Sequence, residues 1–390
     1  MTRTLHPRSR RSWLAFAICG ALAACGSGGT ENGGVGGPGD PGGPSGGDPP
    51  GDPPGDPGSG GGPGGPGGAG NPLAIVLDFS VANEGTVERT ETLCTSIPFP
   101  EGGYAPSTLA TMVVSGHQTA WLPLQYWADG TVKVAQAQFT DTLAAGQVKN
   151  YVIAKDEPSL AGAFTRNPWV AQLWNGLEIG AEVRDTFSVP YRAFATGGSV
   201  VQTSPLVQTT RHHSYHLPLA GQTGIGRDYL TSTFYVTEYR DMPFVVVDWI
   251  VGNDYLGADV IPPGNTDRNL RALGTVDVRG AWFLTKGTSA MMPYRFGPEG
   301  LSPFEVLNGG YGAFRVMTDT FLADAQTRRY RFLLRCEPPG AASAEVARWQ
   351  ATSTAMLANP MYPLATQAAW VQTRAAGLLG GPIAGPSDAN

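Results

Sequence analysis

Past residue 25 the sequence has no apolar run long enough to cross a bilayer as a helix, which takes about 20 residues. The longest, residues 244–251, is interrupted by Asp248 and has the length of a strand. Basic patches are missing too. Lysines and arginines number 26 against 32 acids, for a formal charge of −6. No stripe of one sign stands out, so nucleic acid is not an expected partner. Catalytic signatures are scarce: H-E-x-x-H is absent, and G-x-S-x-G occurs at residues 43–47 inside a Gly/Pro tract, without the strand-to-helix setting of a nucleophile elbow. Residues 221–229, GQTGIGRDY, superficially resemble a phosphate loop. They lack its Gly-Lys-Ser/Thr ending and its strand-to-helix setting, so they read as a Gly-rich hairpin connection. No cofactor is expected. Cysteine and histidine are rare, at four and five residues.

What is present begins with a leader. Residues 1–11 carry Arg3, Arg8, Arg10 and Arg11 and no acid, and residues 13–24 form a short apolar run ending in small residues. A basic start, a short apolar core and a small-residue end make an export signal. Residues 9–14, SRRSWL, also resemble a twin-arginine signal. Leu22-Ala23-Ala24-Cys25 resembles a bacterial lipobox. That resemblance implies that residues 1–24 are removed and that Cys25 is acylated. Several acyl chains hold a protein stably on a membrane where one does not. The expected partner is therefore a membrane, reached through a lipid anchor. Gly26 stands where inner-membrane retention signals usually place Asp, which favours the outer membrane or cell surface. Losing the four leader arginines would take the formal charge from −6 to −10.

Residues 25–72 are mostly Gly and Pro with interspersed acids, among them Asp40, Asp48, Asp52 and Asp56. Such a tract has almost nothing apolar to bury against the entropy of ordering. It reads as a tether, spanning roughly 35–40 Å as a coil. Gly does not recur every third residue, which excludes a collagen helix.

The remaining chain reads as β. Short apolar or β-branched runs fall at 74–79, 86–94, 110–114, 120–127, 131–139 and 148–154. Asp129-Gly130 between two of them is a strong hairpin signal. In 131–139 the alternation sends Val132, Val134, Ala135 and Phe139 to a core and Lys133, Gln136 and Gln138 outward. Further runs at 177–183, 186–194, 200–208, 229–239, 244–251, 275–284, 312–318 and 329–336 have the regular spacing of a sandwich. One helix is expected at 342–358. Cys94 and Cys336 remain near the two ends of this region, and in an exported protein they read either as a disulfide or as two thiols.

The stretches TLCTSIPFPEGGY and LPLQYWADGTVKVAQAQFTDTLAAGQVKNYVI, with the hairpin Trp127-Ala128-Asp129-Gly130-Thr131-Val132-Lys133, resemble exo-rhamnogalacturonan lyase-like proteins. The resemblance implies a small RIFT-type β-barrel at 73–160 and a β-sandwich at 165–340, followed here by a helix and tail at 341–390. The α/α toroid that carries lyase chemistry in that family has no counterpart in this sequence.

Candidate chemistry concentrates in RHHSYH, residues 211–216, which holds three of the five histidines. Arg211, His213 and Tyr215 could abstract a proton and stabilise an enolate in sugar elimination. In a strand His212 and His216 share a face about 13 Å apart and His213 points the other way, so one strand cannot close a metal site. Asp248, Asp254, Asp259 and Asp267 could offer oxygens to calcium, but such residues are common in loops and no metal is expected. Trp121, Trp127, Trp169, Trp174, Trp249 and Trp282, with Tyr126 and Tyr255, could stack on sugars or fill cores. Tyr126 and Trp127, beside a turn, and Trp249 are the expected ligand contacts. The expectation is an all-β, membrane-anchored envelope protein that binds extracellular polysaccharide without cleaving it. The alternatives are a polysaccharide lyase or other glycoside-active enzyme, with Arg211, His213 and Tyr215 as its catalytic group, or a structural envelope protein.

Overall fold

The alternation of apolar and polar residues becomes strand through about half of the described residues. The computed structural model describes residues 78–220, 230–254, 275–288, 290–293, 304–323, 325–365 and 367–375. These lie in one compact unit, Gly68–Asn390. The leader, Cys25, the Gly/Pro tract, the 221–229 loop, Tyr255, Asp259 and Asp267 fall outside the described residues.

The first module is built from β1 (Asp78–Ala82), β2 (Arg89–Pro98), β3 (Met112–Val114), β4 (Thr119–Tyr126), β5 (Val132–Leu143) and β6 (Val148–Lys155). One antiparallel sheet runs β2-β5-β4 and a second runs β1-β6-β3. They enclose a core that includes Phe79, Leu93, Ile97, Phe99, Phe139 and Tyr151. The Asp129-Gly130 turn forms as its sequence dictates. Gly130 takes φ +82°, a left-handed value that favours glycine. The Asp129 carboxylate accepts hydrogen bonds from the Thr131 N–H at 2.8 Å and hydroxyl at 2.6 Å.

The second module adds α1 (Pro168–Leu173), β7 (Glu178–Arg184), β8 (Pro190–Phe194), β9 (Ser199–Thr203), β10 (Val207–Tyr215), β11 (Leu217–Pro218), β12 (Leu230–Tyr239) and β13 (Phe244–Asn253). It continues with β14 (Val276–Lys286), β15 (Ala290–Pro293), β16 (Glu305–Leu307), β17 (Tyr311–Leu322) and β18 (Thr327–Arg335). Two sheets result among the described residues, ordered β15-β18-β13-β12-β10-β9 and β11-β8-β7-β14-β17-β16. Both feed one core that includes Phe234, Val247, Trp249, Phe283 and Phe332. Phe283 stacks on Phe332 with centroids 3.9 Å apart.

The chain closes with α2 (Ser343–Ala358), β19 (Leu364–Ala365) and α3 (Gln367–Thr373). Helix α2 lays Trp349 and Met356 over Phe244, Val246 and Leu333, on the outer face of the first-named sandwich sheet. Residues past α2 return to the first module. There β19 pairs with β1, and Met361 joins that module's core. The fold is all-β with a short C-terminal helix, as expected.

Four expectations need correction. The run at 200–208 is two strands, because Ser204 turns the chain. Its hydroxyl accepts from the N–H groups of Leu206 at 3.1 Å and Val207 at 2.9 Å. Gln138 is fully buried, not outward. The side of β5 away from its own core meets the second module, where Ser204 donates to Gln138 and Gln202 to Gln136. Cys94 and Cys336 are thiols and not halves of a bridge. They occupy different packing environments: Cys94 lies against Ala120, Leu206 and Val207, and Cys336 lies inside the sandwich core. Burial pushes the Cys336 thiol up to about 12. Trp249 is a core residue with no exposed surface. It lies on the inward parity of β13, and its indole N–H donates to Ser232 at 2.8 Å.

Candidate functional site

Strand alternation splits β13 into two ladders. Val245, Val247, Trp249 and Val251 point into the sandwich. Phe244, Val246, Asp248, Ile250 and Gly252 share the opposite parity and so face outward. Helix α2 covers the Phe244–Val246 end. Beyond it the face is polar, and here the residues singled out from RHHSYH lie. Arg211, His213 and Tyr215 alternate along β10 and are all exposed, Tyr215 by 52 %.

Register assembles the rest. Arg211 pairs with Tyr235 of β12, Tyr235 with Asp248 of β13, and Asp248 with Arg331 of β18. These four residues form one row across the strands. The next row is His213, Thr233, Ile250 and Arg329. A third is Tyr215, Thr231, Gly252 and Thr327. Neighbouring strands lie about 4.8 Å apart, so each row spans about 14 Å.

Hydrogen bonds fix several of these side chains. Arg331 donates to both Asp248 oxygens, at 2.8 and 2.9 Å, and Arg329 Nε donates to Oδ1 at 3.0 Å. His213 Nδ1 lies 2.9 Å from the Thr233 hydroxyl, and its ring meets Tyr215 edge-on with centroids 5.6 Å apart. Among the described residues Arg211 makes no ion pair and the face is open, with exposed side chains along β10.

The RHHSYH residues therefore divide by parity. Arg211, His213 and Tyr215 come together on the open face. His212 lies on the other side of β10, half-buried over Gly198. His216 is buried; Ser232 lies 2.7 Å from its Nε2, and the Tyr191 carbonyl lies 3.3 Å from its Nδ1. Burial pulls its pKa down to about 4. Among the described residues no three metal-ligating side chains gather. Asp248 is taken up by two arginines, and Asp254 accepts from the Thr231 hydroxyl at 2.8 Å.

The aromatic candidates scatter. Tyr126 is 53 % exposed. Trp127 is half-buried, donates to the Phe99 carbonyl at 3.0 Å, and has Lys133 Nζ 4.8 Å from its ring. Both lie in the first module, away from the rows described. Trp121 packs on the first core and donates to the Met112 carbonyl at 2.7 Å. Trp169 and Trp174 pack against hydrophobic clusters. On the other sandwich sheet Trp282 is buried between the Arg184 and Arg315 guanidiniums, 4.6 and 5.0 Å from its ring.

Sequence reasoning missed Tyr235, Arg329 and Arg331. Their signal was available: Tyr330 and Phe332 alternate with the arginines in TRRYRFLLR, which puts Arg329 and Arg331 on the opposite face. That β18 lies beside β13 was not readable from the sequence.

No protein-family model and no curated protein matches the chain. Solved structures do. An alpha-mannosidase from Enterococcus faecalis V583 is similar over 75 % of this chain and 46 % of that one, at 10 % identity and a TM-score of 0.38. A glycosyl hydrolase family 38 protein from Enterococcus faecalis is similar over 75 % of this chain and 47 % of its own, at 9 % identity and a TM-score of 0.36. The chain spans less than half the length of either.

Proposed function

We propose that this protein binds an extracellular polysaccharide without cleaving it, on the open part of the β10-β12-β13-β18 face, and that acylated Cys25 holds it at an envelope membrane. One observation carries the binding site. Arg211, His213 and Tyr215 are exposed in alternation along β10, whose backbone pairs with β12 throughout and with β9 as far as Arg211. A paired strand fixes the backbone beneath such side chains, so that binding has only the side chains to order. Tyrosine rings offer apolar faces to sugars, and arginine, histidine and threonine offer hydrogen bonds to hydroxyls. The same geometry argues against elimination chemistry. Acid–base catalysis gains most from groups held in a water-excluded site. Here the carboxylate of the row, Asp248, is committed to two arginines, and the candidate bases stand in solvent.

A glycan array probed with the full chain tests the reading. The expected result is binding that Tyr215→Ala abolishes, with no sugar released from the bound polymer. Release of an unsaturated or reducing sugar would make the protein an enzyme, and absence of any glycan binding would leave a structural role. For the anchor, mass spectrometry of the native protein is expected to find acyl chains on Cys25, and Cys25→Ser is expected to move it to the soluble fraction.

A further inference from the structure

Charge on the open face runs against the charge of the whole chain. The sequence carries a formal −6. The described rows hold Arg211, Arg329 and Arg331 and one carboxylate, Asp248, with the Asp254 carboxylate reaching Thr231 of the third row. Asp248 is shared by Arg329 and Arg331, which it orients and partly neutralises. Arg211 stands at the far end of the same row, exposed and without an ion pair among the described residues. From these observations, and resting on the binding reading above, we infer that the polymer bound here is polyanionic, with Arg211 reading one acidic group and the Arg329–Arg331 pair another.

Spacing sets the size of the ligand. Arg211 and Arg331 stand three strands apart, about 14 Å between backbones. A single carboxylate, sulfate or phosphate meets only one end. A chain bearing acidic groups at intervals meets both, and lies across the strands instead of along them. Between the two cationic ends the surface is Tyr235 and Thr233, both half-buried, which suits the uncharged part of such a chain. Arginine is the fitting residue at the Arg211 end, where its planar fork pairs two oxygens of one acidic group, which lysine cannot do. Arg331, by contrast, already sets its fork on Asp248. Asp248 contributes by holding Arg331 in a two-pronged pair and Arg329 beside it, so both guanidiniums are already placed.

The experiment compares polymers that differ in charge alone. The full chain is titrated with neutral dextran, carboxymethyl-dextran and dextran sulfate, and with polyphosphate as an anion lacking sugar. The two charged dextrans are expected to bind and the neutral one not at the same concentration, with binding weakening as salt rises. Arg211→Gln is expected to lower affinity for the charged dextrans roughly tenfold and to flatten the salt dependence, and Arg211→Lys to restore only part. Equal binding of neutral and charged dextran, unchanged by Arg211→Gln, would overturn the anionic assignment and leave saccharide binding standing. Polyphosphate binding as tightly as the charged dextrans, and losing affinity in Arg211→Gln, would support an anion-reading face and overturn the saccharide reading. Failure of every charged polymer to bind, or charged-dextran binding indifferent to Arg211→Gln, would overturn the inference.

Discussion

Two halves of one sheet face, on the same strands and with the same parity, behave in opposite ways. On β13 the outward residues read Phe244, Val246, then Asp248, Ile250, Gly252; on β18 Leu333 gives way to Arg331 and Arg329. The apolar half lies under α2, where Trp349 meets Phe244 edge-on with centroids 5.4 Å apart. Among the described residues no helix lies over the polar half, where Arg211 and Arg329 are exposed. Helix α2 covers where large apolar groups need removal from water and stops where arginines begin. The same sheet thus shows how this chain covers the half of a face that must be dry.

Four predictions break or sharpen this contrast, from the largest effect to the smallest. Trp349→Ala opens a cavity under α2 and is expected to cost about 3–5 kcal/mol by urea unfolding, while polymer affinity stays unchanged. A loss of affinity as large as the loss of stability would show that the two halves are not independent. Asp248→Asn leaves Arg329 and Arg331 without their carboxylate and is expected to destabilise by about 1–3 kcal/mol in the same assay.

The third prediction concerns two ionisable groups buried on β2, beside the C-terminal end of α2. Arg89 Nε lies 3.2 Å from Glu91, both nearly fully buried, and Arg89 also donates to the Asn359 carbonyl just past α2. Burial pushes Glu91 up to about 7 and Arg89 only partly opposes it. The folded state then holds a proton that the unfolded state releases near 4.5. Glu91's contribution is therefore fully present below about 4.5 and is lost as pH rises through about 7. His216 works the other way. Its pKa is near 4 folded and 6.5 unfolded, so its contribution is present above 6.5 and lost as pH falls toward 4. Glu91→Gln removes the first slope. The melting temperature of the variant is expected to climb with pH between 4 and 6.5 more steeply than that of the natural protein. A parallel pair of curves across that window would rule out Glu91 as the source. Last, Arg211→Gln, on the wet half, is expected to shift stability by no more than about 0.5 kcal/mol, measured by the same unfolding.

The class of fold was legible because period-two alternation and Gly- or Asp-marked turns are local properties. The Asp129-Gly130 hairpin and the helix over 343–358 formed within a residue or two of their expected places. The site was half legible. RHHSYH drew attention by composition alone, and strand parity separates Arg211, His213 and Tyr215 from His212. Trp249 misled, because a tryptophan on a strand names neither its face nor what covers it.

The sequence by itself determined the β character of this protein, the parity of each strand and the place of its best-marked turn, because each depends on residues a few positions apart. Only the tertiary structure decided which strands are neighbours. That choice set Arg331 beside Asp248, buried Gln138 against Ser204 and kept Cys94 apart from Cys336. It also laid α2 over one half of the open face. Strand order follows from how whole sheets pack their apolar faces, a sum over the entire chain that no short stretch contains.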